Sequence, residues 1–396
     1  MSDNLEATAP AAIPAAIPTG PLAGVKVAEL GGIGPVPFCG MLLGDLGAEV
    51  VRIDRPAAAG RPSPFPVLHR NRRSLAVDLK QPQGVDTVLR LVEDCDAVLE
   101  GFRPGTLERL GLGPDDCLAR NPRLVYGRMT GWGQTGPLAL QPGHDINYIA
   151  LAGALHTIGP ADGDPVPPLN LVGDFGGGGM LLALGVLGGV LSARTTGRGQ
   201  VVDTAMTDGT ALQLAMVYGF LAQGRWEDRR GSNMLDGGAP YYGVYRCADG
   251  GHVAVGAIEG PFYAALLQVL DLTDDPDFAR QQDRAAWPVM RRRLEQVFAG
   301  RPRDEWARVF EGRGACVTAV LSLAEAAEDP HNTARGTYRT GPGDVPEPAP
   351  APRFSATPAP EPAAAVPVGA DTDRVLAGLG LAAEEIAALR EKGVVG

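Results

Sequence analysis

Apolar residues in the first half of the chain fall in short blocks separated by glycine, proline and charge. Residues 25–30, Val-Lys-Val-Ala-Glu-Leu, read as a short buried strand. The turn Gly31-Gly32-Ile33-Gly34-Pro35 follows it, then helical spacing over 38–46, a stop at Gly47 and a second strand at 49–53. Strand, helix and strand in that order predict a βαβ unit, and its right-handed crossover makes the sheet parallel. The pattern continues with a helix at 84–93 and strands at 96–99 and 124–128. The expected fold class is therefore α/β, with a large doubly wound, Rossmann-like parallel sheet.

A long apolar helix is predicted over 176–193, then a strand at 201–203 and a helix at 209–221. Past residue 231 the pattern changes. A Gly/Ser/Asn-rich loop at 231–239 leads into strand-like runs at 241–247 and 252–257, which flank Asp249-Gly250-Gly251, a hairpin signal. Helices at 262–270, 284–298 and 304–311 complete a smaller α+β domain. The expected division is a tail at 1–20 whose Ala/Pro blocks do not fold, a large domain at 21–205 and 340–396, a linker at 206–235, and a small domain at 236–339. The Pro/Ala-rich stretch 342–367 fits a flexible linker. It fits an ordered polyproline strap better, because the amphipathic helix predicted at 373–391 needs a core to dock on.

At 396 residues the chain is long enough for two cores. Its net charge of −11 argues against general nucleic-acid binding, which needs a basic face. A local basic cluster can still hold a phosphorylated ligand, and Arg52, Arg55, Arg61, Arg70, Arg72, Arg73 and Lys80 lie close in sequence. They read either as a site for a polyanion, which arginine matches bidentately, or as a solvated charged face. The five cysteines show no CxxC spacing, so neither disulfides nor a metal site is expected and a reducing cytoplasm is the default. The longest apolar run, 180–193, falls short of the ~20 residues of a membrane span. The N-terminus opens with acidic residues and lacks the basic region of a signal peptide. No membrane association is expected. Gly32-x-Gly34 with Asp54 mimics a dinucleotide fingerprint, but Pro35 removes an N–H that a pyrophosphate would use, so a structural turn is the better reading.

Two residues stand out as proton carriers. His144 sits in Gly143-His144-Asp145-Ile146-Asn147-Tyr148, with Asp145 placed as an N-cap and His144 at the helix entrance. It reads either as a satisfied helix-start histidine or as a neutral imidazole able to accept a proton. Asp174 precedes four glycines, Gly176 to Gly179. It reads either as a helix cap or as an acid–base group beside bare N–H groups that bind an oxyanion. Together they suit removal of a proton alpha to a thioester, which needs a base and a stabilised enolate. Glu259 can orient His144 by a hydrogen bond.

The segments VAELGGIGPVPFCGMLLGDLGAEVVRIDRP, RNRRSLAVDLK, GFRPGTLERLGLGP, GHDINYIAL, PPLNLVGDFGGGGM and VAVGAIE, in this order, resemble the family III CoA-transferases. GHDINY together with NLVGDFGGG resembles their alpha-methylacyl-CoA racemase branch. That resemblance implies His144 and Asp174 as catalytic bases with Glu259 supporting His144. It implies coenzyme A held by Arg55, by Val77, Asp78, Leu79 and Lys80, by Arg103, and by Gly143, Asp145, Ile146, Asn147 and Tyr148. The thioester substrate carries the coenzyme, and no other cofactor is implied. It further implies an interlocked homodimer, with each active site between one protomer's large domain and the other's small domain. The second reading is a CoA-transferase, in which Asp174 is a nucleophile forming an aspartyl-CoA intermediate.

Overall fold

The computed structural model describes residues 19–396, so the tail expected at 1–20 lies almost wholly outside the described residues. Strands β1 (Lys26–Leu30), β2 (Glu49–Asp54), β3 (Arg72–Ala76), β4 (Ala97–Glu100), β5 (Val125–Thr130) and β6 (Gln200–Ala205) form one parallel sheet. Their order is β3-β2-β1-β4-β5-β6. Strand order reverses between β1 and β4, and ligands of such sheets bind in the crevice outside the strand carboxyl ends at that point. The helices of this domain include α1 (Pro35–Asp45), α2 (Pro82–Glu93), α3 (Asp145–Leu151), α4 (Leu181–Thr196), α5 (Met206–Gln213) and α6 (Ala215–Ala222), with shorter ones at Thr106–Leu110, Pro114–Arg120 and Ala154–Thr157. Alternate strand residues serve opposite faces. Val27, Val50, Leu99 and Val125 pack with α1 and α4, while Leu30, Ile53, Val98 and Tyr126 pack with α2 and the C-terminal helices.

Strand β3 was hidden by its arginines. Arg70 and Arg72 are buried, not a solvated face and not a phosphate clamp. Arg72 reaches Glu29 at 3.1 Å, and Arg70 holds Asp45 through two bonds of 2.9 and 2.5 Å. Their guanidinium groups are committed inside the protein, which corrects the polyanion reading for both.

The long helix starts earlier than its sequence pattern predicts. Residues Leu171–Met180 are π-helical and run straight into α4, giving 26 continuous residues apolar enough to cross a membrane. The estimate of a run too short for a span is thereby corrected. One face of α4 nonetheless packs on the sheet, where a Cβ on Gly189 would meet Val125 at 2.7 Å and one on Gly127 would meet Val186 at 2.9 Å. The glycine run serves a close approach too. A Cβ on Gly209 of α5 would stand 1.9 Å from the carbonyl oxygen of Gly177, so the two backbones touch directly. The helix expected at 209–221 is two helices, α5 and α6, meeting at Leu214.

In the second domain β7 (Tyr242–Arg246) and β8 (His252–Gly256) form the expected antiparallel hairpin, and β9 (Val317–Ala319) adds a third strand. Helices α7 (Gly260–Val269), α8 (Trp287–Phe298) and α9 (Arg303–Phe310) cover it. Its core is aromatic, with Tyr245 stacked on Phe298 at 5.1 Å between centroids and Trp306 edge-on to Phe298 at 5.2 Å.

Strand β10 (Tyr338–Thr340) then pairs with β11 (Pro346–Pro348), and the proline-rich chain returns along the β3 side of the sheet. Glu347 is buried there between Arg70, at 3.4 Å, and Arg339, at 2.5 Å. Further on, Asn71 and Ala363 exchange two hydrogen bonds of 2.6 and 3.0 Å. The stretch is an ordered strap. The single helix expected at 373–391 is α10 (Thr372–Gly378) and α11 (Ala383–Glu391), separated where Gly380 takes φ +86°.

Candidate active site

After β5 the chain turns through Gly131 and Trp132 and re-enters a helix at Asp145. Tyr148 pins this turn to the sheet edge. Its ring meets Trp132 edge-on at 4.7 Å, and a Cβ on Gly131 or Gly143 would lie 2.0 or 2.7 Å from that ring. His144 is the N-cap of α3, with extended φ/ψ, and Asp145 is the first helical residue. This corrects the expected cap. Asn147, three residues on, accepts the His144 backbone N–H at 3.0 Å, which is why Asp145 is free to turn inward. His144 itself stays exposed.

Asp174 lies in the first turn of the π-helical segment rather than ahead of a helix. A Cβ on Gly34, in the turn after β1, would stand 2.8 Å from Asp174 Oδ2. The carboxylate therefore rests on the β1 turn, beside the point where strand order reverses. Gly34 takes φ +72°, so both conformation and space call for glycine there. Asn170 approaches Asp174 Oδ2 at 3.4 Å, and Asp145 Oδ1 accepts the Asp174 backbone N–H at 2.7 Å.

Partial burial raises the Asp174 carboxyl above the usual carboxylate range. The Asn170 amide opposes the rise, the negative charge of Asp145 adds to it, and His144 opposes it. The structure thus brings His144, Asp145, Tyr148, Asn170 and Asp174 to one edge of the sheet. Asn170, four residues before Asp174, was missed in the sequence; that spacing on a helical segment was its one signal.

The glycine run does not supply an oxyanion site. In a π-helix each N–H is committed to the carbonyl five residues back, so those of Gly176 to Gly179 are already used. Glu259 sits, exposed, as the N-cap of α7 in the second domain. Among the described residues of one chain no hydrogen bond or ion pair links it to His144.

The residues implied for coenzyme A are spread along the same edge. Arg55 follows β2 and Arg103 follows β4, both exposed. The Val77 and Asp78 N–H groups are taken by Asp54 and Val394, at 2.9 and 2.8 Å, and Asp78 itself caps the turn through the Lys80 N–H at 3.0 Å. Leu79 and Lys80 instead line an open groove of about 350 Å³ with Val85, Leu89, Arg109 and Leu110. Arg109 was not singled out in the sequence, because it lies on a short helix remote from the arginine cluster. Asn147 is occupied in capping and Tyr148 in packing, while Ile146 is exposed. Among the described residues no group of His, Cys, Asp and Glu side chains is arranged to hold a metal ion.

Residues 22–372 match the model of CoA-transferase family III, and the chain belongs to that family. It is 45 % identical to mouse alpha-methylacyl-CoA racemase over 94 % of this chain and 97 % of that protein. It is 43 % identical to the human alpha-methylacyl-CoA racemase, over the same shares. A crystal structure of a CaiB/BaiF family protein from Brucella suis superposes with TM-score 0.78 at 26 % identity, covering 91 % of this chain and all of that one.

Proposed function

We propose that the enzyme interconverts (2R)- and (2S)-2-methylacyl-CoA thioesters by moving the α-proton through an enolate. The observation that carries this reading is the proximity of His144 to the half-buried Asp174 at the carboxyl edge of the sheet. One group takes the proton from one face while the other returns one to the opposite face, and the configuration inverts. A carboxyl whose proton affinity is raised toward the working pH serves both as base and as acid, which supports the role of Asp174. The two racemases of 45 and 43 % identity support the reaction. Coenzyme A, as part of the substrate, is assigned to Arg55, Lys80 and Arg103, with Arg109 added by the groove beside Lys80. Incubated in deuterium oxide with either epimer of a 2-methylacyl-CoA, the enzyme will incorporate deuterium at the α-carbon and yield both epimers. Turnover that requires a carboxylate acceptor, with an aspartyl thioester trapped by hydroxylamine, would instead establish a transferase.

A second copy of the chain completes the site in this proposal. Leu184, Leu191, Leu212 and Met216 are 56–68 % exposed, and α6 has no buried residue. These apolar faces belong to α4, α5 and α6, whose other faces pack on the sheet, on α1 and α3 and on the π-helical segment. Glu259 of a second copy then reaches His144. Sedimentation at micromolar concentration is expected to give a species of twice the chain mass; a lone monomer refutes it. Four buried free thiols, Cys39, Cys95, Cys117 and Cys247, fit a reducing cytoplasm.

A further inference from the structure

Asp145 takes no part in the proton transfer just described, yet it is the carboxylate closest in bonding to Asp174. It is only 7 % exposed. Its Oδ1 accepts the Asp174 backbone N–H at 2.7 Å, and its Oδ2 is shielded from solvent with no hydrogen-bond partner among the described residues. Gly173 makes the contact feasible, since a Cβ there would stand 2.5 Å from Asp145 Oδ1. A buried carboxylate holding a single donor leaves most of its charge undispersed, and in a weakly polarisable surrounding that charge acts on its neighbours.

We infer that Asp145 is a positioning residue that fixes the Asp174 backbone and, through its negative charge, makes the Asp174 carboxyl a stronger base. The catalytic consequence rests on the racemase reading; the electrostatic effect does not. The groups that face Asp174 are His144 and Asp145 at the start of α3, Tyr148 one turn on, and Asn170 before the π-helical segment, with Arg103 acting on Tyr148. His144 and Asn170 favour the charged carboxylate, whereas Asp145 disfavours it. Burial and Asp145 together outweigh them. The structure therefore holds a repulsive contact at the reacting group, and a racemase benefits because a base must be avid enough to take a weakly acidic proton.

Asp145→Asn keeps an oxygen to accept the Asp174 N–H and removes only the charge. The carboxyl carbon of Asp174, labelled with carbon-13 and assigned with Asp174→Asn, is titrated by NMR in the free, full-length enzyme. Removing a negative neighbour makes the carboxylate easier to form. The midpoint should therefore fall, by about one pH unit. In the direction where Asp174 takes the proton, the acid limb of kcat moves to lower pH by the same amount. The plateau kcat falls about threefold as the base weakens, with KM unchanged. Asp145→Ala adds a further rate loss, because the Asp174 N–H loses its acceptor. Should the asparagine variant not fold, Asp145→Ser carries the same titration. An Asp174 midpoint that stays in place or rises overturns the inference, as does a loss of kcat without movement of the limb. If the wild type shows no α-proton exchange, the racemase reading fails while the NMR titration still decides the role of Asp145.

Discussion

His144→Ala loses racemisation by about 10²- to 10⁴-fold, the usual contribution of one positioned acid–base group. The loss is not uniform across the two substrates. Asp174 remains and still faces one side of the α-carbon, so residual exchange with deuterium oxide is confined to the epimer whose hydrogen points at it. Inversion falls by that full factor, because no side chain on the other face returns a proton. His144 is exposed at the entrance of α3 and makes no side-chain cap, so the substitution removes little packing. The melting temperature is expected to stay within a few degrees. Chiral analysis of recovered thioester, alongside deuterium content, reads the result. Equal residual exchange in both epimers would show that Asp174 and His144 do not divide the two faces.

The second large effect is on stability. Arg72 and Glu29 have side chains 0 and 1 % exposed and meet at 3.1 Å. Arg72 also donates to the carbonyls of Arg70, at 2.8 Å, and Pro37, which ties β3 to the start of α1. Gly40 of α1 is a glycine because the pair passes against it: a Cβ there would lie 2.2 Å from Glu29 Oε2. Arg72→Met leaves Glu29 buried without its hydrogen-bonded partner, with only the more distant Arg52 opposing its charge, and such breaks cost about 3–5 kcal/mol. The double variant Glu29→Met/Arg72→Met removes both charges and recovers a large part of that loss, since paired burial is itself close to neutral. Denaturant titration of the three proteins tests this. A loss below about 1 kcal/mol in the single variant would mean that water or a local shift rescues the carboxylate.

The sheet was legible where a short, largely apolar segment is bounded by turn signals. Five of its six strands were read that way, although β1 carries the buried Glu29 and β2 the buried Arg52, and the hairpin of the second domain was read from Asp249-Gly250-Gly251. Strand β3 was not, because Arg72 and Ser74 are buried through partners distant in sequence: Glu29 for Arg72, and Asp54 at 2.6 Å for Ser74. Local pattern cannot tell an arginine that meets a buried glutamate from one that meets solvent. The start of the long helix was misplaced for a similar reason. Four glycines read as weak helix formers, and the contact that calls for them, Gly177 against Gly209, is made by a residue some thirty positions on. At the site, His144 and Asp174 were singled out from chemistry and spacing, and the structure brings them to one edge of the sheet. The cap role expected of Asp145 falls to His144, whose N–H Asn147 accepts, and the inward turn of Asp145 is visible only once Asp174 is beside it. Glu259 stays apart from His144 within one chain, which the family resemblance implied and no local pattern in the sequence shows.

The π-helical segment has a consequence for how this protein can vary. Where each N–H bonds five residues back instead of four, the helix carries surplus chain, and that surplus can be lost. Deleting one glycine from Gly176–Gly179 while the wide ladder is kept turns each residue ahead of the deletion by somewhat under about 100° relative to α4. Asp174 would swing off the β1 turn with no side chain substituted. The aim of the carboxylate is thus set by a residue count as well as by residue identities, so an alignment gap in the glycine run matters as much as a change at Asp174 itself.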